Sequence, residues 1–533
     1  MNVPLTPLRF LRHAEQQYPG ETAVVCGDLR LTYAQFADRA GRLAGAIRSM
    51  GVAPGERVAF LSTNCHRFLE AYYGVVAAGA VLLPLNYRLS ADELAYILDD
   101  SEASVLFLEQ EFLPLADALR QRVSSVRAYF LLDARSSADW LSPRNYDEIL
   151  SDAAPFVPDI MEIDENSLAE LFYTSGTSAM PKGVMLTHRN IYLHAVDTFL
   201  ALHTYEHRVG MHTIPLFHAN GWGAAHSLTF IGGKHVMLHR FVPNDLFRLV
   251  ERERVQTLQL VPIMALALVN SPERAKYDLS SLAWISIGGA ASSPTLIRQV
   301  VETLGCDCFA GYGLTETSPV LSTAKLRPGR ELQGEARHTA QAVTGHAIPG
   351  VEIRVVDSEN HDVPRDGKTM GEVITRADGV MLGYWRQPQA TAEVMRDGWL
   401  HTGDMATMHA DGSFLIVDRK KDIIISGGEN ISSLEVEKAM HAHPAVYEVA
   451  VIPVPDEKWG EVAKALVVLK PGSNATEAEL IEFCRSRLAH YKCPHSVEFV
   501  ESLPKTATGK VRKKSLRQKY RAGDVRSEVT HHD

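Results

Sequence analysis

The chain has 533 residues, 46% of them hydrophobic and 22% charged, with a formal net charge of −10 at pH 7. That length predicts about three or four structural units sharing faces, and the ordinary apolar content predicts a globular protein. The net acidity argues against nonspecific nucleic-acid binding. The N-terminus has no charged region followed by an apolar one, so no signal peptide is expected. The longest apolar run, Ala71 to Leu85, is broken by Gly74, Gly79 and Pro84 and predicts a buried helix and strand, not a membrane span. Six cysteines, Cys26, Cys65, Cys306, Cys308, Cys484 and Cys493, include no C-x-x-C pair. Neither a zinc ribbon nor a disulfide framework is indicated, which predicts reduced thiols and a cytoplasmic protein.

From the N-terminus the pattern alternates helix and strand. Thr32 is placed to cap a helix carrying Phe36, Leu43 and Ile47 on one face and ending at Gly51. Arg57 to Leu61 reads as a short buried strand, Phe68 to Ala78 as a helix, Val81 to Leu85 as a strand, Asp92 to Asp100 as a helix and Ser104 to Leu108 as a strand. Repeated βα units predict an α/β fold of mostly parallel sheets covered by helices, with ligands at the carboxyl ends of strands. Gly345 to Asp418 is rich in Val, Ile and Gly in short alternating runs and predicts a small antiparallel β unit. The charged run Arg419-Lys420-Lys421-Asp422 lies between two apolar strands. Beyond it, Ser432-x-x-Glu435 and Thr476-x-x-Glu479 predict capped helices, and Val449 to Val454 and Ala463 to Leu469 predict strands. Two domains are expected, 1–420 and 421–533.

Several clusters carry chemistry. After the apolar strand Leu168 to Tyr173 comes Thr174-Ser175-Gly176-Thr177-Ser178-Ala179-Met180-Pro181-Lys182-Gly183. Such a loop can wrap backbone N–H groups and hydroxyls around phosphate oxygens, with lysine as counter-charge, although it is not a Walker A motif. Ser286-Ile287-Gly288-Gly289-Ala290 ends a strand in small residues that let a flat ligand approach the backbone. In Gly311-Tyr312-Gly313-Leu314-Thr315-Glu316, Tyr312 can stack on a base, Thr315 can bond a phosphate and Glu316 can hold Mg²⁺. Asp404, in His401-Thr402-Gly403-Asp404, suits a ribose diol. Pro504-Lys505-Thr506-Ala507-Thr508-Gly509-Lys510 presents lysines on a loop. Taken singly, each of the last three reads more readily as an ordinary turn or a solvated basic segment.

In this order the clusters resemble the adenylate-forming superfamily, and within it the acyl-CoA synthetases of fatty-acid type, over roughly Thr22 to Arg512. The resemblance implies a large N-terminal domain of two α/β sheets and a small β barrel, followed by a smaller, mobile α+β C-terminal domain. It implies ATP, Mg²⁺ and coenzyme A, and a small-molecule carboxylic acid as substrate; a homodimer is compatible with it. Thr174, Ser175, Gly176, Thr177 and Lys182 match the loop that holds the β- and γ-phosphates. Gly289, Ala290 and Tyr312 match the adenine pocket, Thr315 the α-phosphate contact, and Glu316 with Thr174 the metal contacts. Asp404 and Arg419 match the ribose contacts, Lys421 the hinge, Gly428 the pantetheine tunnel, and Lys510 the catalytic lysine of the first half-reaction. In that reaction a carboxylate attacks the α-phosphorus of ATP, and coenzyme A then takes the acyl group as the C-terminal domain rotates between steps.

The segment Pro215-Leu216-Phe217-His218-Ala219-Asn220-Gly221-Trp222 matches the acyl-pocket lining. His218 falls near the acyl carbonyl, and Trp222 falls where fatty-acid members place a gate. Gly288 and Gly311 belong to the same substrate-binding set, and small residues there leave room for a chain. Medium- to long-chain fatty acids are expected, with aryl or short substituted acids as the alternative. An acyl-AMP ligase that loads a carrier, and a non-catalytic nucleotide-binding relative, are the other readings. The phosphate loop departs from the family wording at Ser178-Ala179, where Thr-Gly is usual. If the glycine there has φ > 0, alanine costs about 1 kcal/mol.

Overall fold

The computed structural model describes residues 2–134, 138–174, 180–202, 204–327, 329, 331–427, 429–505 and 511–521. The chain divides into two compact units. The first comprises Met1–Ile353, Thr375–Leu400 and Gly412–Phe414, and the second Arg354–Ile374, His401–Asp411 and Leu415–Asp533.

The first unit is built on two large sheets. One has seven strands in the order Gly383–Tyr384, Lys182–Thr187, Leu168–Thr174, Val81–Leu85, Arg57–Leu61, Ala103–Leu108 and Ala128–Leu131. Its last five strands run parallel, and its first three are joined antiparallel. The central strands are buried along their whole length, as at Val58, Ala59, Phe60 and Leu61, all 0% exposed. Parallel strands covered on both faces read as continuous apolar runs for this reason, and each such valine, leucine or phenylalanine contributes about 1.5–3 kcal/mol. The helix Tyr33–Ser49 opens with a reciprocal capping box between Thr32 and Gln35, as the sequence predicts, and buries Phe36, Leu43 and Ile47.

The second sheet of this unit has nine strands. At its heart Asp307–Gly313, Trp284–Ile287, Thr257–Leu260 and Val209–His212 lie side by side and parallel. Their carboxyl ends line up, so the residues that follow them, among them Gly288, Val261 and the segment from Thr213, emerge at one end of the sheet, where open α/β sheets bind ligands. Gly313 permits a tight return after its strand. A Cβ there would lie 1.8 Å from the Pro319 carbonyl oxygen, and that carbonyl accepts the Leu314 N–H at 3.0 Å.

The β-rich stretch after Gly345 differs from its sequence reading in two ways. It contains a helix, Pro388–Val394, and its strand Gly383–Tyr384 pairs with Val184 and Met185 in the seven-stranded sheet. The remaining strands form a five-stranded sheet of Val351–Val356, Met370–Ala377, Trp399–Met408 and Met395–Arg396, with Phe414–Arg419 beside Trp399–Met408.

In the second unit a separate five-stranded sheet, Glu429–Ile431, Ile424–Ser426, Gly460–Leu469 and Val446–Asp456, with Ser496–Phe499 on Gly460–Leu469, packs against helices Ser433–His441 and Glu477–Arg485. Thr476 and Glu479 form the expected reciprocal cap. Ser432 accepts the Glu435 N–H at 3.0 Å, but the Glu435 carboxylate turns away to Lys492 at 2.8 Å, so that box closes from one side only. Among the described residues no helix is long and apolar enough to cross a membrane.

Candidate active site

Thr174 and Lys182 are direct cross-strand partners in the antiparallel pair that brackets the phosphate loop. Ser175, Gly176, Thr177, Ser178 and Ala179 lie outside the described residues. Lys182 sits with its ammonium 4.8 Å from the centre of the Tyr384 ring. The Tyr384 hydroxyl donates to Glu316 Oε1 at 2.9 Å. The loop lysine and the carboxylate expected at the metal are therefore connected through one aromatic side chain. Tyr384 is 8% exposed; burial and the Glu316 carboxylate raise its pKa, so it is a neutral donor. Its backbone is fixed by a hydrogen bond from its N–H to Thr391 Oγ1 at 2.9 Å, and Trp385 N–H donates to the Gly183 carbonyl at 2.7 Å. Thr315 and Glu316 occupy a short 3-10 turn, and the Glu316 carbonyl accepts the Met381 N–H at 2.8 Å. The half-buried Glu316 carboxylate, oriented by the Tyr384 hydroxyl, is a hard oxygen donor of the kind that fits Mg²⁺.

Gly288 is buried at the end of its strand, and Gly289 and Ala290 are exposed beyond it, Gly289 with φ +76°. Tyr312 is half-buried and meets Phe414 edge-on, with centroids 6.0 Å apart. Gly311 lies one strand over, close to Ser286: a Cβ on it would stand 3.2 Å from Ser286 Oγ.

The acyl segment holds the least expected geometry. Ala219, Asn220, Gly221, Trp222 and Gly223 all have positive φ, between 45° and 82°. They form one turn of left-handed helix directly after His218, which is half-buried. Left-handed backbone costs about 1–2 kcal/mol each at residues such as Ala219 and Trp222, and less at asparagine. The surroundings over-determine it. Asn64 donates to the carbonyls of His212 and Ile214 and accepts the Leu216 N–H at 2.7 Å. Tyr72 donates to the Leu216 carbonyl at 2.6 Å and Tyr73 to that of Ala225 at 3.0 Å. The turn delivers Trp222 to the strand end. A Cβ on Gly288 would lie 3.1 Å from the indole, and one on Gly289 would lie 3.4 Å from it.

Beneath the turn lie buried histidines. His212 Nε2 and His235 Nδ1 are 2.9 Å apart, with rings stacked 5.2 Å apart. Burial lowers His212 to about 4 and His194 to about 3, and holds His235 well below the usual histidine value, so all three are neutral near pH 7.

In the second unit Asp404 is 3% exposed and pairs with Arg419 Nε at 2.8 Å. Arg419 ends its strand and is not part of a solvated turn. Asp418 beside it accepts hydrogen bonds from the Ser433 and Leu434 N–H groups at the start of Ser433–His441. Burial raises Glu372, but Lys420 at 2.9 Å and His401 at 3.2 Å outweigh it and hold the carboxyl below its usual range. Desolvation and the cations Arg419, Arg517 and Lys514 lower the Lys421 ammonium. The Lys421 carbonyl accepts from Arg517 at 3.1 Å, and Asp422 pairs with the same arginine. Gly428 and Lys510 lie outside the described residues. Sequence reasoning missed Tyr384, Glu170, Asn220 and His226; the pattern Gly383-Tyr384-Trp385 after a turn is the signal that could have found the first.

The family model described as AMP-binding enzyme matches residues 11–385, and that described as AMP-binding enzyme C-terminal domain matches residues 435–510. A 4-hydroxybutyrate–CoA ligase of Metallosphaera sedula is 38% identical over 526 residues, 97% of this chain and 95% of that protein. A long-chain-fatty-acid–CoA ligase of Thermus thermophilus is 38% identical over 498 residues, 92% of this chain and 90% of that one. The crystal structure of an anthranilate CoA ligase with anthranoyl-AMP superposes with a TM-score of 0.85 at 27% identity, covering 98% of each chain. The chain belongs to the AMP-binding enzymes, as an acyl-CoA synthetase of the adenylate-forming superfamily.

Proposed function

We propose that this AMP-forming acid–CoA ligase takes medium- to long-chain fatty acids. The observation that carries the proposal is that the buried strand end at Gly288 is bordered by a large side chain, the Trp222 indole, mounted on a strained turn. A swing of that indole opens depth for a chain. In the first half-reaction a carboxylate oxygen bonds to the α-phosphorus of ATP while the bond to pyrophosphate breaks. In the second, the thiol sulfur of coenzyme A bonds to the acyl carbon and AMP leaves. Thr174, Ser175, Gly176, Thr177 and Lys182 hold the β- and γ-phosphates, and Gly289, Ala290 and Tyr312 the adenine. Thr315 contacts the α-phosphate. Asp404 and Arg419 hold the ribose, and Lys510 neutralises charge on the α-phosphate and carboxylate oxygens as they react. Lys421 is the hinge, and Gly428 lines the path of the pantetheine. Glu316 and Thr174 would hold Mg²⁺, which when bound neutralises the charge of the triphosphate. A cytoplasmic location belongs to the same proposal and is supported by six free thiols.

A second reading, short or aryl acids, is favoured by how close the six-membered edge of the indole stands to Gly288 and Gly289, which leaves little depth beyond them. The similar proteins span a short hydroxy acid, a long chain and an aromatic acid. The test is AMP formation, with and without coenzyme A, across straight-chain acids from four to sixteen carbons and a set of benzoates and cinnamates. Highest kcat/KM at eight carbons or more supports the first reading. A maximum at four carbons or on an aryl acid overturns it in favour of the second.

A further inference from the structure

A buried carboxylate sits where neither phosphate nor adenine chemistry needs one. Glu170 is 0% exposed and lies in the interior of the strand Leu168–Thr174, paired to Leu82. Its Oε2 accepts from Asn220 Nδ2 at 3.0 Å, and its Oε1 from His226 Nε2 at 2.7 Å. Asn220 closes the turn on itself, its Oδ1 accepting the Gly223 N–H at 2.7 Å. His226 is 1% exposed and clasped edge-on by Tyr72 and Tyr73, with centroids 5.5 and 5.6 Å away. Its Nδ1 is buried without a hydrogen-bond partner among the described residues, so the ring's polar attachment is to Glu170. One carboxylate thus grips the left-handed turn at its second residue and the helix that follows it. A carboxylate here satisfies two buried donors at once, which a leucine or valine of the same strand position could not.

We propose that Glu170, acting through Asn220 and His226, is a specificity-determining positioning residue: it holds the turn Ala219–Gly223 left-handed and so fixes how far the Trp222 indole closes over Gly288. Because Glu170 stands four residues before Thr174 on the same strand, the acid's site and the phosphate loop share one rigid element. The inference rests on the reading that Trp222 borders the acid, and extends it to what sets the border.

The experiment compares full-length wild type with Asn220→Gly, His226→Phe, Glu170→Gln and Trp222→Ala. The readouts are kcat/KM for dodecanoate and for butyrate, and KM for ATP. Glycine at 220 keeps the left-handed backbone accessible while removing the bond to Glu170 and the closure onto the Gly223 N–H. The ratio of the two acids is expected to move by roughly tenfold, the scale on which pocket shape discriminates apolar groups, with KM for ATP within about twofold. His226→Phe keeps a ring between Tyr72 and Tyr73 but removes the N–H that Glu170 accepts; it is expected to move the ratio in the same direction, and it carries the test if Asn220→Gly does not fold. Glu170→Gln retains an acceptor for Asn220, so its ratio is expected to stay closer to wild type than that of Asn220→Gly. An unchanged ratio in Asn220→Gly and His226→Phe, while Trp222→Ala shifts it, overturns the role of Glu170 alone. An unchanged ratio in Trp222→Ala overturns the placement of the acid and the inference with it. Equal loss for both acids together with a raised KM for ATP reduces Glu170 to a fold-stabilising group and overturns the inference.

Discussion

Replacing Tyr384 by phenylalanine removes one hydroxyl and leaves the ring under the Lys182 ammonium. The lost bond is a 2.9 Å donation to a carboxylate, a class worth about 1.5–3 kcal/mol. Glu316 is half-buried, so water recovers part of it, and a net loss of about 1–1.5 kcal/mol remains in holding the carboxylate toward the metal. That corresponds to roughly tenfold weaker apparent Mg²⁺ binding, the scale typical of groups that orient a metal ligand. Tyr384→Leu also removes the ring 4.8 Å from Lys182 Nζ, a cation–π contact worth about 0.5–2 kcal/mol, and is expected to raise KM for ATP several-fold further. The assay is pyrophosphate release against Mg²⁺ concentration at saturating acid. Transfer from presynthesised acyl adenylate to coenzyme A serves as control and is expected to stay near wild type in both variants. A Mg²⁺ titration of Tyr384→Phe that superimposes on wild type would refute the connection from Lys182 to Glu316.

Other outcomes follow from the same geometry and from the family match. Lys510→Ala is expected to lose adenylate synthesis by orders of magnitude yet transfer presynthesised acyl adenylate to coenzyme A at near wild-type rate; equal loss in both assays contradicts the division of labour. Burial and Asp378 raise the Asp197 carboxyl from 3.8 to about 6. The native state then binds more protons than the unfolded chain between those values, so this contribution is fully present below about pH 4 and lost as pH rises through 6. Asp197→Asn is therefore expected to stabilise the protein by about 1–2 kcal/mol at pH 7.5, after discounting for partial exposure, and not at pH 4; denaturant midpoints at the two pH values check it. The neutral buried His194, His212 and His235 act in the opposite sense, because the unfolded chain takes up protons first as pH falls below 6.5. Each is expected to cost about 1.4 kcal/mol per pH unit below that point, so the melting temperature should fall steeply between pH 6.5 and 5. A flat profile there would show that these rings are already protonated in the native state.

The strands Arg57–Leu61 and Val81–Leu85 were legible in the sequence because burial on both faces leaves no alternation to misread, and Thr32 because its capping partner lies three residues away. Thr174, Lys182, Gly288, Tyr312 and Glu316 could be named as candidates from the sequence because each cluster is contiguous. What escaped depends on distance along the chain. Tyr384 reaches Glu316 from 68 residues away, and Asn220 and His226 reach Glu170 from 50 and 56. Glu170 is a lone charge inside a strand read as apolar, and nothing near it in sequence says what it will pair with. The left-handed turn has almost no local signature: Asn220 and the two glycines tolerate positive φ, but Ala219 and Trp222 adopt it only because the surrounding hydrogen bonds impose it.

The two-residue strand Gly383–Tyr384 also has a consequence for how the chain is made. It covers the outer edge of Lys182–Thr187, yet it is synthesised roughly 200 residues later, a wait of about 10–40 s at ordinary rates of translation. During that interval the nascent sheet presents a bare edge strand, open to pairing with other chains. A chain truncated before Gly383 should therefore aggregate during expression even though every strand of the parallel core is present, and the yield of the full-length protein should depend on chaperones that shield that edge until its late partner emerges.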